Sequence, residues 1–291
     1  MSKEYVIMTD SSCDLPQKLA DQLGLEVLPL EVMADGKNYR NWLDGREIGF
    51  KEFYKLAREG KELKTSAVNT AAFEEKMEKL LGEGKDVLYI GFSTGLSTTY
   101  NSGESAAREL REKYPDRKIY TVDTLAASLG QGMITYYAAK KKEEGATIEE
   151  VRDFVESEKL HMCHWFTVDD LNYLKRGGRI SAATAAIGTM LSIKPVMHMD
   201  NEGHLVAVGK ARGRKAALKA LADSMESTML PGRNETIFIS HGDSLEDAEY
   251  LANLVRERTG VQDIVINYVG PVIGAHAGPG TIALFFWGSE R

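Results

Sequence analysis

Five hydroxyl side chains crowd one short stretch, Gly91-Phe92-Ser93-Thr94-Gly95-Leu96-Ser97-Thr98-Thr99, directly after the apolar run Val87-Leu88-Tyr89-Ile90. Two chemistries fit. The first is nucleophilic: Gly91 to Gly95 matches G-x-S-x-G between a predicted strand and a predicted helix, and His276 lies downstream as a base. That would make a serine hydrolase acting on acyl esters or lipids through Ser93 and His276. Against it, Gly95 delays the helix past the point where a nucleophile elbow starts one, and no HGGG-like oxyanion segment precedes Ser93. The second chemistry is an anion cradle. A helix starting near Ser97 leaves its first backbone N–H groups unpaired and its dipole favours negative charge there. Ser97 and Thr98 add hydroxyl donors, and Gly95 allows close approach of a ligand. Ser97 also serves as an ordinary helix cap in such a position. Thr65 and Ser66, in Glu62-Leu63-Lys64-Thr65-Ser66, precede a second helix start. Loops of this kind converge at one edge of an α/β layer, where ligands bind.

His276 sits in Val269-Gly-Pro-Val-Ile-Gly-Ala-His276-Ala-Gly-Pro-Gly280, a stretch so apolar and glycine-rich that it reads as a loop docked on another surface. No acidic residue adjoins it in sequence. Arg176, Arg179 and Arg212 stand beside glycines in an otherwise acidic chain. On turns, their guanidinium groups would reach outward to an acidic partner or a phosphate. His161-Met162-Cys163-His164 is donor-rich, but alternate strand residues point to opposite faces, so a metal is not expected. There is no Walker A loop and no strand–GxGxxG–helix fingerprint, so no nucleotide cofactor is expected.

The elements that must position these residues follow from periodicity. In the first half, strand-sized apolar runs (Tyr5–Met8, residues 86–92, Lys118–Asp123) alternate with helical patterns, among them Gln17–Leu23 and Ser128–Glu144. Alternation implies parallel pairing with right-handed crossovers. Asp35-Gly36 signals a hairpin turn. After about residue 160, strands and an apparent hairpin mix with helices, predicting a second domain with a mixed sheet. The expected fold class is α/β, with residues 1–160 an N-terminal parallel-sheet domain and residues 161–291 a mixed-sheet domain, a ligand cleft lying between them. The 291 residues are 43% apolar and 27% charged, with a formal net charge of −7. That balance argues against a nucleic-acid binder. No apolar run is long enough to span a bilayer, so no stable membrane insertion is expected. Two distant cysteines, Cys13 and Cys163, and a start without a secretory apolar region point to a cytoplasmic protein.

Taken together, several motifs resemble those of the DegV family, bacterial fatty-acid-binding proteins also called FakB. They are VIMTDSSCDLP, DGKNYR, KTSAVN, STGLSTTYNSG, TVDTLAASLGQG, DDLNYLKRGGRIS, SIKPVM, KARGRKAAL and GAHAGPGTIAL. The resemblance runs along essentially the whole chain. It implies a two-domain α/β protein that is not itself an enzyme and encloses one long-chain fatty acid in a buried tunnel. Its carboxylate would be held by Thr65, Ser97 and His276, with Ser66, Ser93 and Thr98 in the same cradle. It also implies an ATP-dependent fatty acid kinase as partner, to which the acid is presented for acyl-phosphate formation and phospholipid synthesis. Arg176, Arg179 and Arg212 are the expected docking residues. The segment from Ile180 to Met197 is the expected tunnel wall. Two departures from the family pattern, Thr98 in place of a glycine and Ala67-Val68 after Thr65-Ser66, bear on chain-length or unsaturation preference.

Overall fold

A computed structural model describes residues 4–181 and 192–291. The first half contributes seven strands: β1 (Tyr5–Asp10), β2 (Glu26–Leu28), β3 (Glu31–Ala34), β4 (Lys37–Arg40), β5 (Leu63–Ser66), β6 (Asp86–Gly91) and β7 (Ile119–Asp123). Four of them form a parallel sheet in the order β2-β1-β6-β7. β1 and β6 are buried along their whole length, as strands covered on both faces must be. Their register, Tyr5 opposite Asp86 through Met8 opposite Tyr89, brings Asp10 beside the chain leaving β6. The Asp10 carboxylate accepts hydrogen bonds there from the Tyr89 hydroxyl (2.8 Å) and the Phe92 N–H (3.2 Å). The hydroxyl-rich loop is thus anchored at its root by a buried acid.

The Asp35-Gly36 turn forms as expected, with φ of 51° and 77°, and joins β3 to β4. β5 then adds to the other side of β3, giving a three-stranded antiparallel sheet β4-β3-β5. Here the structure corrects the sequence reading: Thr65 and Ser66 lie on a strand, not in a loop before a helix. Leu63-Lys64-Thr65-Ser66 is a short, mostly polar edge strand with no apolar alternation of its own. Its conformation is dictated by pairing, with Val32 opposite Thr65.

The helices of this half are α1 (Gln17–Gln22), α2 (Phe50–Arg58), α3 (Thr70–Gly82), α4 (Thr99–Lys113), α5 (Leu129–Glu143) and α6 (Ile148–Glu158). α5 is the central one. Its buried residues, from Leu129 to Ala139, occupy every side of its first three turns, so it is enclosed rather than amphipathic. Glycine permits this enclosure. A Cβ on Gly132 would stand 2.5 Å from the Cys13 carbonyl oxygen, and one on Gly130 would stand 2.0 Å from His164 Nε2.

The second half runs β8 (Met162–Thr167), α7 (Leu171–Arg176), β9 (Ile193–Met199), β10 (Leu205–Arg212), α8 (Arg214–Thr228), β11 (Thr236–His241), α9 (Leu245–Thr259), β12 (Asp263–Tyr268), α10 (Pro271–Ala277) and β13 (Ile282–Trp287). Its sheet is mixed, in the order β10-β9-β8-β13-β11-β12. β11 and β12 are parallel and the other pairs antiparallel. Of the expected tunnel-wall segment, residues 182–191 lie outside the described residues, while Ile193 to Met197 belong to β9. One apolar core joins the two sheets, with Ile7 and Leu88 of the first, Phe238, Phe285 and Trp287 of the second, and Met133 and Ile134 of α5 between them.

The His276 stretch departs from expectation most clearly. It is a helix, α10, and not a loop. Gly270 caps it in an extended conformation and Pro271 opens it, a position where a missing N–H costs nothing. Gly274 reflects packing rather than flexibility, since a Cβ there would lie 2.6 Å from Tyr54 Oη. Among the described residues, no helix is long and apolar enough to cross a membrane.

Candidate functional site

A cavity of about 520 Å³ lies between the carboxyl edge of the parallel sheet and the mixed sheet, within the range typical of small-molecule sites. Leu30, Phe92, Phe166, Met199, Val272 and Phe285 give it an apolar wall. Thr65, Ser66, Ser97, Thr98, Arg179 and His276 supply a polar part. Ser66 and Thr98 are exposed, so this polar part faces solvent.

His276 is its centre. The ring Nε2 stands 2.8 Å from Thr65 Oγ1. Nδ1 is buried and has no hydrogen-bond partner among the described residues. It is pressed so close to Gly177 that a Cβ there would lie 2.1 Å from it. Burial, then the nearby Arg179 guanidinium, push the His276 pKa down to about 4. At neutral pH the ring therefore carries one proton. A buried N–H without an acceptor is costlier than a bare lone pair, so that proton belongs on Nε2, donated to Thr65. The Thr65 hydroxyl hydrogen is then left to point at a ligand.

Ser97 ends in a similar state. Its Oγ accepts from the Thr99 N–H (3.1 Å) and lies 2.9 Å from Thr99 Oγ1. Either hydroxyl can donate in the second contact, and when Thr99 does, the Ser97 hydrogen is free for the cavity. The helix itself begins at Thr99, with Thr98 as its cap residue. Thr65, oriented by His276, and Ser97 therefore present neutral hydroxyl donors, suited to an oxyanion.

Two expected site residues are placed otherwise. Ser93 is fully buried and is not part of the cavity lining. Its hydroxyl donates to the Gly203 carbonyl (2.9 Å), in the turn between β9 and β10. Gly95 packs on the same turn, where a Cβ would be 2.5 Å from Gly203 O. The G-x-S-x-G pattern thus records the docking of one half on the other, and Ser93 does not pair with His276. Arg179 was expected to point outward, yet it lines the cavity. Its Nε and Nη2 donate to the Leu96 carbonyl at 3.2 and 2.9 Å, and Nη1 donates to Gly177 O. Those two carbonyls draw the guanidinium inward, next to Ser97 and His276. Arg176 is exposed, over the Tyr173 ring at 4.6 Å, and Arg212 is exposed on β10.

Sequence reasoning missed Ser128, His164 and Ser240, which also line the cavity. His164 Nδ1 lies 3.0 Å from the Met162 carbonyl, which can only accept, so Nε2 is left bare toward the Ala127 N–H (3.4 Å). Among the described residues, no cluster of metal-ligating side chains is found.

The low His276 pKa has a consequence for stability. Between pH 6.5 and 4 the unfolded chain takes up a proton on this residue that the folded chain refuses. Its contribution to stability is thus fully present above pH 6.5 and lost as pH falls toward 4. Chemical denaturation of the parent and of His276→Gln across this range should show the parent's relative stability constant above pH 6.5 and declining below it. A difference independent of pH would contradict the neutral, desolvated ring.

The comparisons with known proteins agree with this architecture. The DegV family model matches residues 4–288. A DegV domain-containing protein of Clostridium perfringens is 47% identical over 289 residues, covering 99% of each chain. A solved DegV family protein from Thermus thermophilus, described as binding fatty acid, superposes with a TM-score of 0.86 at 34% identity, covering 98% of this chain and 99% of that one. A fatty-acid-binding DegV family protein from Streptococcus agalactiae superposes with a TM-score of 0.85 at 30% identity, covering 99% of this chain and all of the other (100%). With its α/β layers matched end to end and its sequence within the range of these relatives, the chain belongs to the DegV family.

Proposed function

We propose that this protein is a non-catalytic carrier that holds one long-chain fatty acid in the cavity, with the carboxylate at Thr65, Ser97 and His276. The observation that carries the reading is the division of one cavity into an apolar wall and a solvent-facing set of neutral donors. The descriptions of its relatives as fatty-acid-binding proteins point the same way.

The energetics are coherent. Each buried methylene contributes about 0.8 kcal/mol, on the order of 10 kcal/mol for a long chain before association costs. Hydroxyl donors then fix the headgroup without a buried ion pair, and Arg179 adds a positive field from a guanidinium already bonded to carbonyls. The arrangement does not favour hydrolysis through Ser93, whose hydroxyl hydrogen is spent on the Gly203 carbonyl.

Ser97→Ala and Thr65→Ala should each weaken fatty-acid affinity by roughly 1–3 kcal/mol, the cost of removing one donor from a buried charged acceptor. Ser93→Ala should cost less. Titration of all three variants with one fatty acid tests the ranking, and a larger loss in Ser93→Ala would overturn the headgroup assignment.

The second part of the proposal is a partner: a separate ATP-dependent kinase that phosphorylates the presented carboxylate. The open, polar end of the cavity and the exposed Arg176 and Arg212 support it. Exposed cations of this kind speed association with an acidic surface and lose strength with salt. Charge reversal at Arg176 and Arg212 should slow acyl-phosphate formation at limiting kinase and leave fatty-acid affinity unchanged. If affinity falls as well, these arginines serve the ligand and the docking role is wrong.

A further inference from the structure

Away from the headgroup donors, the cavity wall carries a second polar point that the carboxylate does not use. Ser128 and Ser240 both line the cavity and are buried, Ser240 completely. Ser128 Oγ lies 2.6 Å from Asp14 Oδ2 and 3.1 Å from Ser240 Oγ. A hydroxyl has one hydrogen, so Ser128 cannot donate to both. Both contacts are oriented for Ser128 to donate, and when its hydrogen goes to the carboxyl, the shorter contact, Ser240 keeps its own hydrogen and lone pairs for the cavity. Burial pushes the Asp14 carboxyl up to about 8; with a proton on Oδ2, Ser128 accepts there and donates to Ser240, whose hydrogen again remains for the cavity. Either way one hydrogen-bonding valence at Ser240 is unspent.

The backbone singles out the same residues. Ser128 has φ 52° and ψ −145°, a left-handed conformation that favours glycine. Glycine there would relieve the strain and lose the hydroxyl, and strain of this kind is retained where a side chain is needed.

The location along the cavity also matters. Ser240 pairs with Asn267 at the end of β12, and Asp14 abuts Gly270, the cap of α10. His276 lies in the last turn of that helix. Six residues at the helical rise put Gly270, and the Asp14 carboxyl against it, roughly 9 Å along the helix from His276, farther than the size of a carboxyl group.

We infer that Ser240, backed by Ser128 and Asp14, is a specificity residue that accommodates a hydroxyl group partway along the acyl chain, so the ligand class includes mid-chain hydroxy fatty acids. This rests on the fatty-acid reading above. A hydroxyl both donates and accepts, so it meets Ser240 whichever way the hydrogens run, whereas on an all-apolar wall it would be buried without a partner. An unsubstituted chain leaves Ser240 bonded to Ser128.

The test is titration of the full chain with stearic acid and with monohydroxystearic acids whose hydroxyl is stepped along the chain. The parent should bind at least one mid-chain isomer as tightly as stearic acid or more tightly. In Ser240→Ala, the affinity for that isomer relative to stearic acid should drop roughly five- to ten-fold, the worth of one hydrogen bond. Ser240→Cys, close in size and a weak hydrogen-bonding group, should show the same direction if the alanine variant folds poorly. The inference is overturned if every isomer binds the parent more weakly than stearic acid, or if the ratio is the same in parent and variants. Failure of the parent to bind stearic acid at all would overturn the carrier reading itself, and this inference with it.

Discussion

The site depends on a hydrogen bond between two residues 211 positions apart, Thr65 on an edge strand and His276 on a short helix. For that bond to form, β5 must pair with β3, and α10 must pack against α2 and α7. Gly177 must leave room for the imidazole, and Gly274 must let α10 settle on Tyr54. The same closeness removes water from the ring and keeps it neutral. A neutral ring that donates to Thr65 frees the threonine hydrogen for an anion. Packing, protonation state and ligand chemistry are therefore one constraint seen at three levels.

The two halves are held to this geometry by features that carry no ligand chemistry. α5 is enclosed between the sheets, and its glycines bring it against Cys13 and His164. The turn after β9 sits on Ser93 and Gly95, fixing the loop that ends in Ser97. Asp10 ties the start of that loop to Tyr89. A cavity framed this way is largely preformed, which limits the entropy lost when a long flexible chain enters it.

Much of this was legible in the sequence, and the failures have physical causes. Strands such as Asp86–Gly91 announced themselves because burial on both faces demands a short continuous apolar run. Asp35-Gly36 announced its turn because few residues tolerate its dihedral angles. β5 was hidden, because an edge strand of Lys, Thr and Ser is specified by its neighbour and not by its own pattern. α10 was misread because glycine marks close packing as well as turns, and only the presence of Tyr54 tells the two apart. Ser93 illustrates the same ambiguity in a motif: G-x-S-x-G is what a tight interface needs as much as what a nucleophile needs. Arg179 could not be oriented from sequence, since the Leu96 carbonyl that attracts it lies 83 residues away.

The central claim is that an acyl chain occupies the cavity with no covalent bond. Native mass spectrometry of the purified full chain, repeated after denaturation, tests it most directly. The account predicts a native mass exceeding that of the polypeptide by one fatty acid, with the increment lost on denaturation. A native mass equal to the bare chain after incubation with long-chain fatty acids, or an increment that survives denaturation as an acyl-enzyme would, contradicts it.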